Sequence, residues 1–244
     1  MKFRNPPIME AICEFRFSKD TKWDPTIPGL VFEKLNGEYP IKESRIGQDV
    51  QIKADQKGIR HRVIPSERAI FLSENRLSLI QLGENVLSIN ALKPYPGWEN
   101  FQPRIRRTFD TVRSIINPKG IDRIALVYVD KIEIPGSQIE MEDYFNFLPH
   151  LGPGLPQSYV SFLVGCEIPY NKERDICKLQ LTAAMPDDKK NSAFVLTTEY
   201  FLAKKRGISL DDIPAWIEDA HTVVDTLFKG CITEKLEKLF VRID

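Results

Sequence analysis

His221 and Asp225 stand four residues apart in a stretch whose apolar residues recur at helical spacing, so their side chains share one helix face. A histidine and a carboxylate so placed form either a local salt bridge or a catalytic dyad. The salt bridge is the first reading, and with no third ligand close in sequence a metal site is weaker still. The other histidines are dispersed, His61 in an alternating segment and His150 in a Pro-Gly loop. Gln51-Ile52-Lys53 has the triplet of nucleases that follow an acidic residue with (D/E/Q)-x-K, and Asp49 and Glu43 lie upstream. Metal-assisted cleavage needs carboxylates that converge on Mg²⁺. Asp49 is too near in sequence to sit on a neighbouring strand, and Glu43 gets there only through an unusual loop. Solvated strand charges are the simpler reading. The chain has no G-x-x-x-x-G-K-[ST] loop and no G-x-S-x-G elbow, and "GPG" at Gly152–Gly154 lacks the setting of a dinucleotide fingerprint. No catalytic residue, metal or cofactor is therefore expected.

Binding surfaces are the other source of chemistry. If Phe15, Phe17, Leu126 and Leu179 face helices, strand alternation turns Arg16, Arg123 and Lys178 to the opposite sheet face. Arg60 and Arg62 join them, with Ser88, Gln180, Thr182 and Thr197 between. Such a face suits a nucleic-acid backbone or a partner protein. Glu14, Glu133 and Glu199 share it, however, and oppose phosphate. A solvated face with cross-strand ion pairs comes first, a protein partner second, nucleic acid third.

The stretch "LKPYPGWENF", Leu92 to Phe101, packs two prolines, a glycine, a tyrosine and a tryptophan into ten residues. Pro94 and Pro96 cannot donate to a ladder, so a strand stops near Lys93. Gly97 lets the chain turn, Trp98 opens an apolar stripe, and Glu99 falls where its charge complements a helix dipole. "LDDIPAW" reaches Trp216 through a proline in the same way. Tyr95, Gly97, Trp98 and Trp216 therefore read as structural corners, with a ligand pocket as the alternative.

These residues must be positioned by an ordered set of elements. "EAICEFRF" alternates as a strand, and Asp24-Pro25 opens a short helix closed by "NGEYP". "VQIKAD", "RHRVIP", "AIFLS", "RLSLIQLG" and "NVLSINAL" read as strands separated by turns at "DQKG", "PSER", "SENR" and "GEN". Trp98, Phe101, Ile105, Phe109, Val112 and Ile116 mark a long amphipathic helix that ends at Asn117-Pro118-Lys119-Gly120. The order then recurs. "IDRIALVYVDKIEIP" is a long strand, "MEDYFNFLPHL" a short helix or helical turn, and "SYVSFLVGCEIP", "ICKLQLTAAM" and "SAFVLTTEYFLAK" are strands. A second long helix starts near Asp212, and "ITEKLEKLF" follows with Thr233 as its cap. The expected fold is therefore an α+β domain of two duplicated halves, 1–119 and 120–244. They would form one curved antiparallel sheet with two long helices on one side, a TATA-box-binding-protein-like architecture.

Composition supports a globular chain: 244 residues, 42% apolar and 28% charged, with zero formal net charge. Residues 1–121 hold 20 Lys+Arg against 14 Asp+Glu (+6), and residues 122–244 hold 14 against 20 (−6). This disfavours a uniformly basic nucleic-acid binder and allows head-to-tail self-association into a homo-oligomer. No apolar run approaches the ~20 residues needed to span a bilayer. The segment from Met1 to Phe17 has no apolar h-region, and Cys13, Cys166, Cys177 and Cys231 form no C-x-x-C pair. A cytoplasmic protein with reduced thiols and no membrane partner is expected.

"NPPIMEAICEFRF" and "QLGENVLSINALKPYPGWENF", with "ALVYVDKIEIP" and "HTVVDTLFKGCIT", resemble a sporadically distributed prokaryotic family of uncharacterised proteins of about this length. The resemblance covers the whole chain. It implies no particular activity or catalytic residue, and the patchy distribution implies a mobile, defence or toxin–antitoxin locus. The function expected is a non-catalytic binding or regulatory module for a protein partner. The alternatives are nucleic-acid binding through the sheet and a metal-dependent nuclease.

Overall fold

Ile8–Phe17 buries Ala11, Cys13, Phe15 and Phe17 in strict alternation, and that one-sided strand is the unit from which the molecule is built. The computed structural model describes residues 2–3, 5–55, 58–157 and 160–243, with side chains described for the same residues less 2, 45–67, 242 and 243. In chain order the elements are β1 (Lys2–Phe3), β2 (Ile8–Phe17), α1 (Ile27–Leu35), β3 (Ile41–Asp55), β4 (Gly58–Leu72), β5 (Ser78–Gly83) and β6 (Val86–Leu92). Then come α2 (Trp98–Ile116), β7 (Ile121–Pro135), β8 (Leu163–Tyr170), β9 (Asp175–Ala184), β10 (Asn191–Leu202), α3 (Ile213–Cys231), α4 (Glu234–Glu237) and β11 (Arg242–Ile243).

Nine strands form one sheet in the order β3-β4-β5-β6-β2-β7-β10-β9-β8, and every neighbouring pair is antiparallel. The sheet is continuous across residues 119 and 120 because β2 and β7 are hydrogen-bonded neighbours. β1 and β11 pair separately, so the two ends of the described chain meet. α2 buries Phe101, Ile105, Phe109, Val112 and Ile116, and α3 buries Ile213, Trp216, Ile217, Ala220 and Val224. Both stripes enter one core with Cys13, Phe15, Leu87, Ile89 and Leu126 from the sheet, and Phe15 stacks on Phe109 at 4.8 Å between centroids. A second core lies under the β7–β10–β9 end, where Phe145, Ile232, Leu236 and Phe240 pack on Ile132, Ile134, Leu181 and Leu196. Thr233 accepts the Leu236 N–H and caps α4. Among the described residues no helix is long and apolar enough to cross a membrane.

The chain is α+β, but this architecture contradicts the duplicated, TATA-box-binding-protein-like arrangement. A strand-dominated nine-stranded sheet with four helices is not two copies of a strand–helix–strands–helix half. Two segments carry the difference. "PSER" is no turn: β3 and β4 run fifteen residues each and pair in register from Ile41↔Leu72 to Asp55↔Gly58, making one long hairpin. "MEDYFNFLPHL" takes the second of its two expected forms, a helical turn, as a 3-10 turn at Met141–Asp143, and so does not match α1. Phe145 then enters the core and bridges to Ile232, while the Asn146 N–H bonds the Cys231 carbonyl. Tertiary anchoring there replaces the α-helix that the first half has as α1. Element order specifies neither strand length nor which turns are bypassed.

Candidate functional site

The strand β6 ends where expected, with the Lys93 N–H on the Met9 carbonyl at 3.0 Å and a cis Lys93–Pro94 peptide immediately after. Gly97 has φ 87°, a conformation that L side chains rarely adopt, and Trp98 is the first residue of α2. The corner is a structural device, and it is also one wall of a cavity. Tyr95 turns inward, its hydroxyl 3.1 Å from that of Tyr128 on β7. Trp98 is half-buried, lies flat on His221 of α3 with ring centroids 3.9 Å apart, and donates its indole N–H to Glu218 at 3.1 Å. Trp216 is not part of this wall. It is 3% exposed in the core and donates its indole N–H to Asp175 at 2.9 Å.

The cavity has a volume of about 630 Å³, within the usual range for small-molecule sites. Tyr95, Pro96, Trp98 and Glu99 line it from the corner, and His221, Val224, Asp225 and Phe228 from α3. Phe3, Pro6, Pro7 and Ile8 close it from the N-terminal side. Its floor is Tyr128 and Asp130 of β7 with Thr198 of β10. In the β7–β10 register Asp130 opposes Leu196 and Tyr128 opposes Thr198, so Asp130 and Thr198 are diagonal neighbours on the helix-facing side.

Two buried aspartates show what is unusual about that floor. Asp175 is wholly buried and accepts from Trp216, from Asn171 at 2.7 Å and from Arg174 at 2.6 Å, with the Tyr200 hydroxyl at 3.2 Å. Burial pushes its pKa up, but the Arg174, Trp216 and Asn171 hydrogen bonds outweigh that and hold the carboxyl below the ordinary range. Asp130 is just as buried, at 1% exposed, yet its Oδ1 has no hydrogen-bond partner among the described residues. Neither has the Thr198 hydroxyl, also 1% exposed. Burial alone pushes the Asp130 carboxyl up to about 8, so it is largely neutral at pH 7. Burial also lowers the His221 pKa, with Asp225 opposing, and leaves a neutral imidazole whose Nδ1 lies 3.2 Å from the Tyr128 hydroxyl. The ion pair on that helix face runs between Asp225 and Lys229.

The sheet face away from the helices has a different character. Arg16 and Arg123 are opposite one another in the β2–β7 register. Each meets a carboxylate: Arg16 Nε lies 2.7 Å from Glu14, and Arg123 Nη2 lies 2.5 Å from Glu199, with the guanidinium over the Phe201 ring. Lys178 is opposite Glu199 on β10 and Glu167 on β8. The structure thus brings Arg16, Arg123 and Lys178 onto one face, interleaved with acids. Arg60 and Arg62 lie on β4, and their side chains fall outside the described residues. So do the side chains of Asp49 and Gln51-Ile52-Lys53. Glu43 shares β3 with the triplet, about 33 Å from Lys53 along an extended strand at roughly 3.3 Å per residue. Glu43 pairs with Arg76. Among the described residues no three His, Cys, Asp or Glu side chains are grouped to hold a metal ion.

Asp130 and Thr198 are the site residues that sequence reading missed. Their signal is the apolar phase of each strand: Leu126, Tyr128, Asp130, Ile132 and Ile134 on β7, and Leu196, Thr198 and Tyr200 on β10. An aspartate on a buried phase needs a partner, and β7 supplies none. Comparison with known proteins adds no identification: no family model matches the chain, and no curated protein matches it.

Proposed function

We propose that this chain is a non-catalytic binding module that holds a small organic ligand in the cavity between the Tyr95–Trp98 corner and α3. The observation that carries this reading is the buried floor of the cavity, where Asp130 and Thr198 both have unpartnered oxygens. A buried polar group without a partner costs roughly 1–3 kcal/mol, and a ligand supplying donors there recovers that cost. The surrounding aromatic and proline side chains provide the apolar walls that ligand sites ordinarily have. A fragment screen by ligand-observed NMR tests the reading, using wild type and an Ile8→Trp variant that fills the mouth. Hits that bind wild type and are lost in the filled variant are expected. Hits that survive the filling contradict it.

A protein partner is the second reading, favoured by the free edge of the sheet. β8 is an edge strand whose Leu163 is 67% exposed, and the segment leading into it exposes Leu155 and Val160. Patchy distribution of the similar family supports a partner encoded beside this chain in a defence or toxin–antitoxin locus. A pull-down with wild type and Leu163→Glu tests it: a partner retained by one and lost by the other is expected, and identical recovery ends the reading. The buried free thiols Cys13, Cys177 and Cys231, each pushed up by burial, fit a reducing, cytoplasmic setting.

A further inference from the structure

Among the described residues, the acids that line the cavity outnumber the bases. Asp130, Asp225 and Glu99 line it, and among the described residues its lining includes no lysine or arginine. Lys229 pairs with one of these acids, Asp225, from one turn further along the helix. His221, the basic side chain among the described lining residues, has its pKa lowered by burial. Trp98, Tyr95, Tyr128 and Phe228 line the cavity as well, and the face of an aromatic ring attracts cations. At the floor, the Asp130 Oδ1 and the Thr198 hydroxyl oxygen can both accept a hydrogen bond, and they stand diagonal across one strand pair, roughly 7 Å apart at their Cβ atoms.

Resting on the ligand-cavity reading, we propose that the occupant is an organic cation: a protonated amine on a flat apolar body, its ammonium group donating to Asp130 and Thr198. An ammonium group carries several donors and can satisfy both oxygens at once, whereas an alcohol has a single donor. A carboxylate ligand would set its charge beside the Asp130 carboxyl, which has no counter-charge among the described lining residues. The amine also brings the counter-charge that lets Asp130 ionise in a buried setting, where an unpaired carboxylate is costly. The apolar body occupies the volume between Trp98 and Phe228.

Matched triplets of probes test this by calorimetry: phenethylamine, phenethyl alcohol and hydrocinnamate, with their naphthyl and cyclohexyl counterparts. The expected result is saturable binding of the amines, at least about tenfold tighter than the alcohols, with no binding of the carboxylates. Asp130→Asn keeps shape and burial, and should weaken the amines by about tenfold or more and the alcohols by clearly less. Retention of the wild-type circular dichroism spectrum and cooperative melting separates this loss from misfolding. Should Asp130→Asn fail to fold, Thr198→Val removes the second oxygen and should weaken the amines in the same sense. Equal binding of amines and alcohols, or amines indifferent to both substitutions, overturns the assignment and leaves the ligand cavity intact. Binding by no probe of any charge, together with an empty fragment screen, overturns both.

Discussion

At the scale of single residues, the contrast between Asp175 and Asp130 separates an acid whose hydrogen bonds are satisfied inside the fold from one with an unpartnered oxygen at the cavity floor. It also sets a pH dependence. The ordinary aspartate value is 3.8, and burial raises Asp130 to about 8. Below 3.8 the folded and unfolded chains both keep this proton. Between the two values the unfolded chain loses it and the folded chain retains it, so the stability associated with the neutral acid is full below the unfolded value and is lost as pH rises through the folded one. The full shift corresponds to something on the order of 5 kcal/mol. Urea denaturation of wild type and Asp130→Asn from about pH 4 to about pH 8 should show a gap that widens toward alkaline pH, with the variant increasingly the more stable. A constant gap contradicts the account. The two tryptophans differ for the same kind of reason. Trp216→Ala empties a core position and strips a donor from Asp175, and should cost roughly 3–5 kcal/mol. Trp98→Ala at the half-buried corner should cost less, and chemical denaturation of the pair measures the difference. The corner residues were legible in sequence because proline and glycine have fixed backbone consequences. Asp130 was legible only as a break in the apolar phase of β7, and Thr198 hardly at all, since threonine is common in strands.

At the scale of elements, strand alternation located β2, β7, β9 and β10, and apolar recurrence located α2 and α3, because both periods are imposed by backbone geometry. What alternation could not show is that "PSER" is spanned by a continuous strand. Turn-prone residues yield when a long hairpin register runs through them. Nor could it show that Phe145 would be pulled into the core instead of leaving a helix intact. The sheet face follows its pattern of charges. Glu14 and Glu199 meet Arg16 and Arg123, and Lys178 stands between Glu199 and Glu167, so few net phosphate contacts are available. Each phosphate neutralised on duplex DNA contributes a slope of about 0.9 in log K against log salt, and two or three contacts give weak, steeply screened binding. No tight DNA or RNA complex should form at about 150 mM salt. Fluorescence anisotropy checks this, and a sub-micromolar complex abolished by Arg60→Glu with Arg62→Glu would contradict it.

At the scale of the whole molecule, the nine-stranded sheet brings together segments that are far apart in sequence. The cavity draws on residues 3 and 6–8, the corner at 95–99, the floor at 128, 130 and 198, and α3 at 221, 224, 225 and 228. No local pattern encodes that meeting. It depends on β7 lying between β2 and β10 and on α3 folding back so that His221 stacks on Trp98. The element order suggested two matched halves, whereas the site joins unlike pieces of both. A crystal structure of the protein soaked with phenethylamine tests that central claim most directly. The account predicts ligand density between Trp98 and Phe228, with its nitrogen within hydrogen-bonding distance of the Asp130 carboxyl and the Thr198 hydroxyl. Density only elsewhere on the molecule, or a cavity unoccupied at saturating ligand, would contradict it.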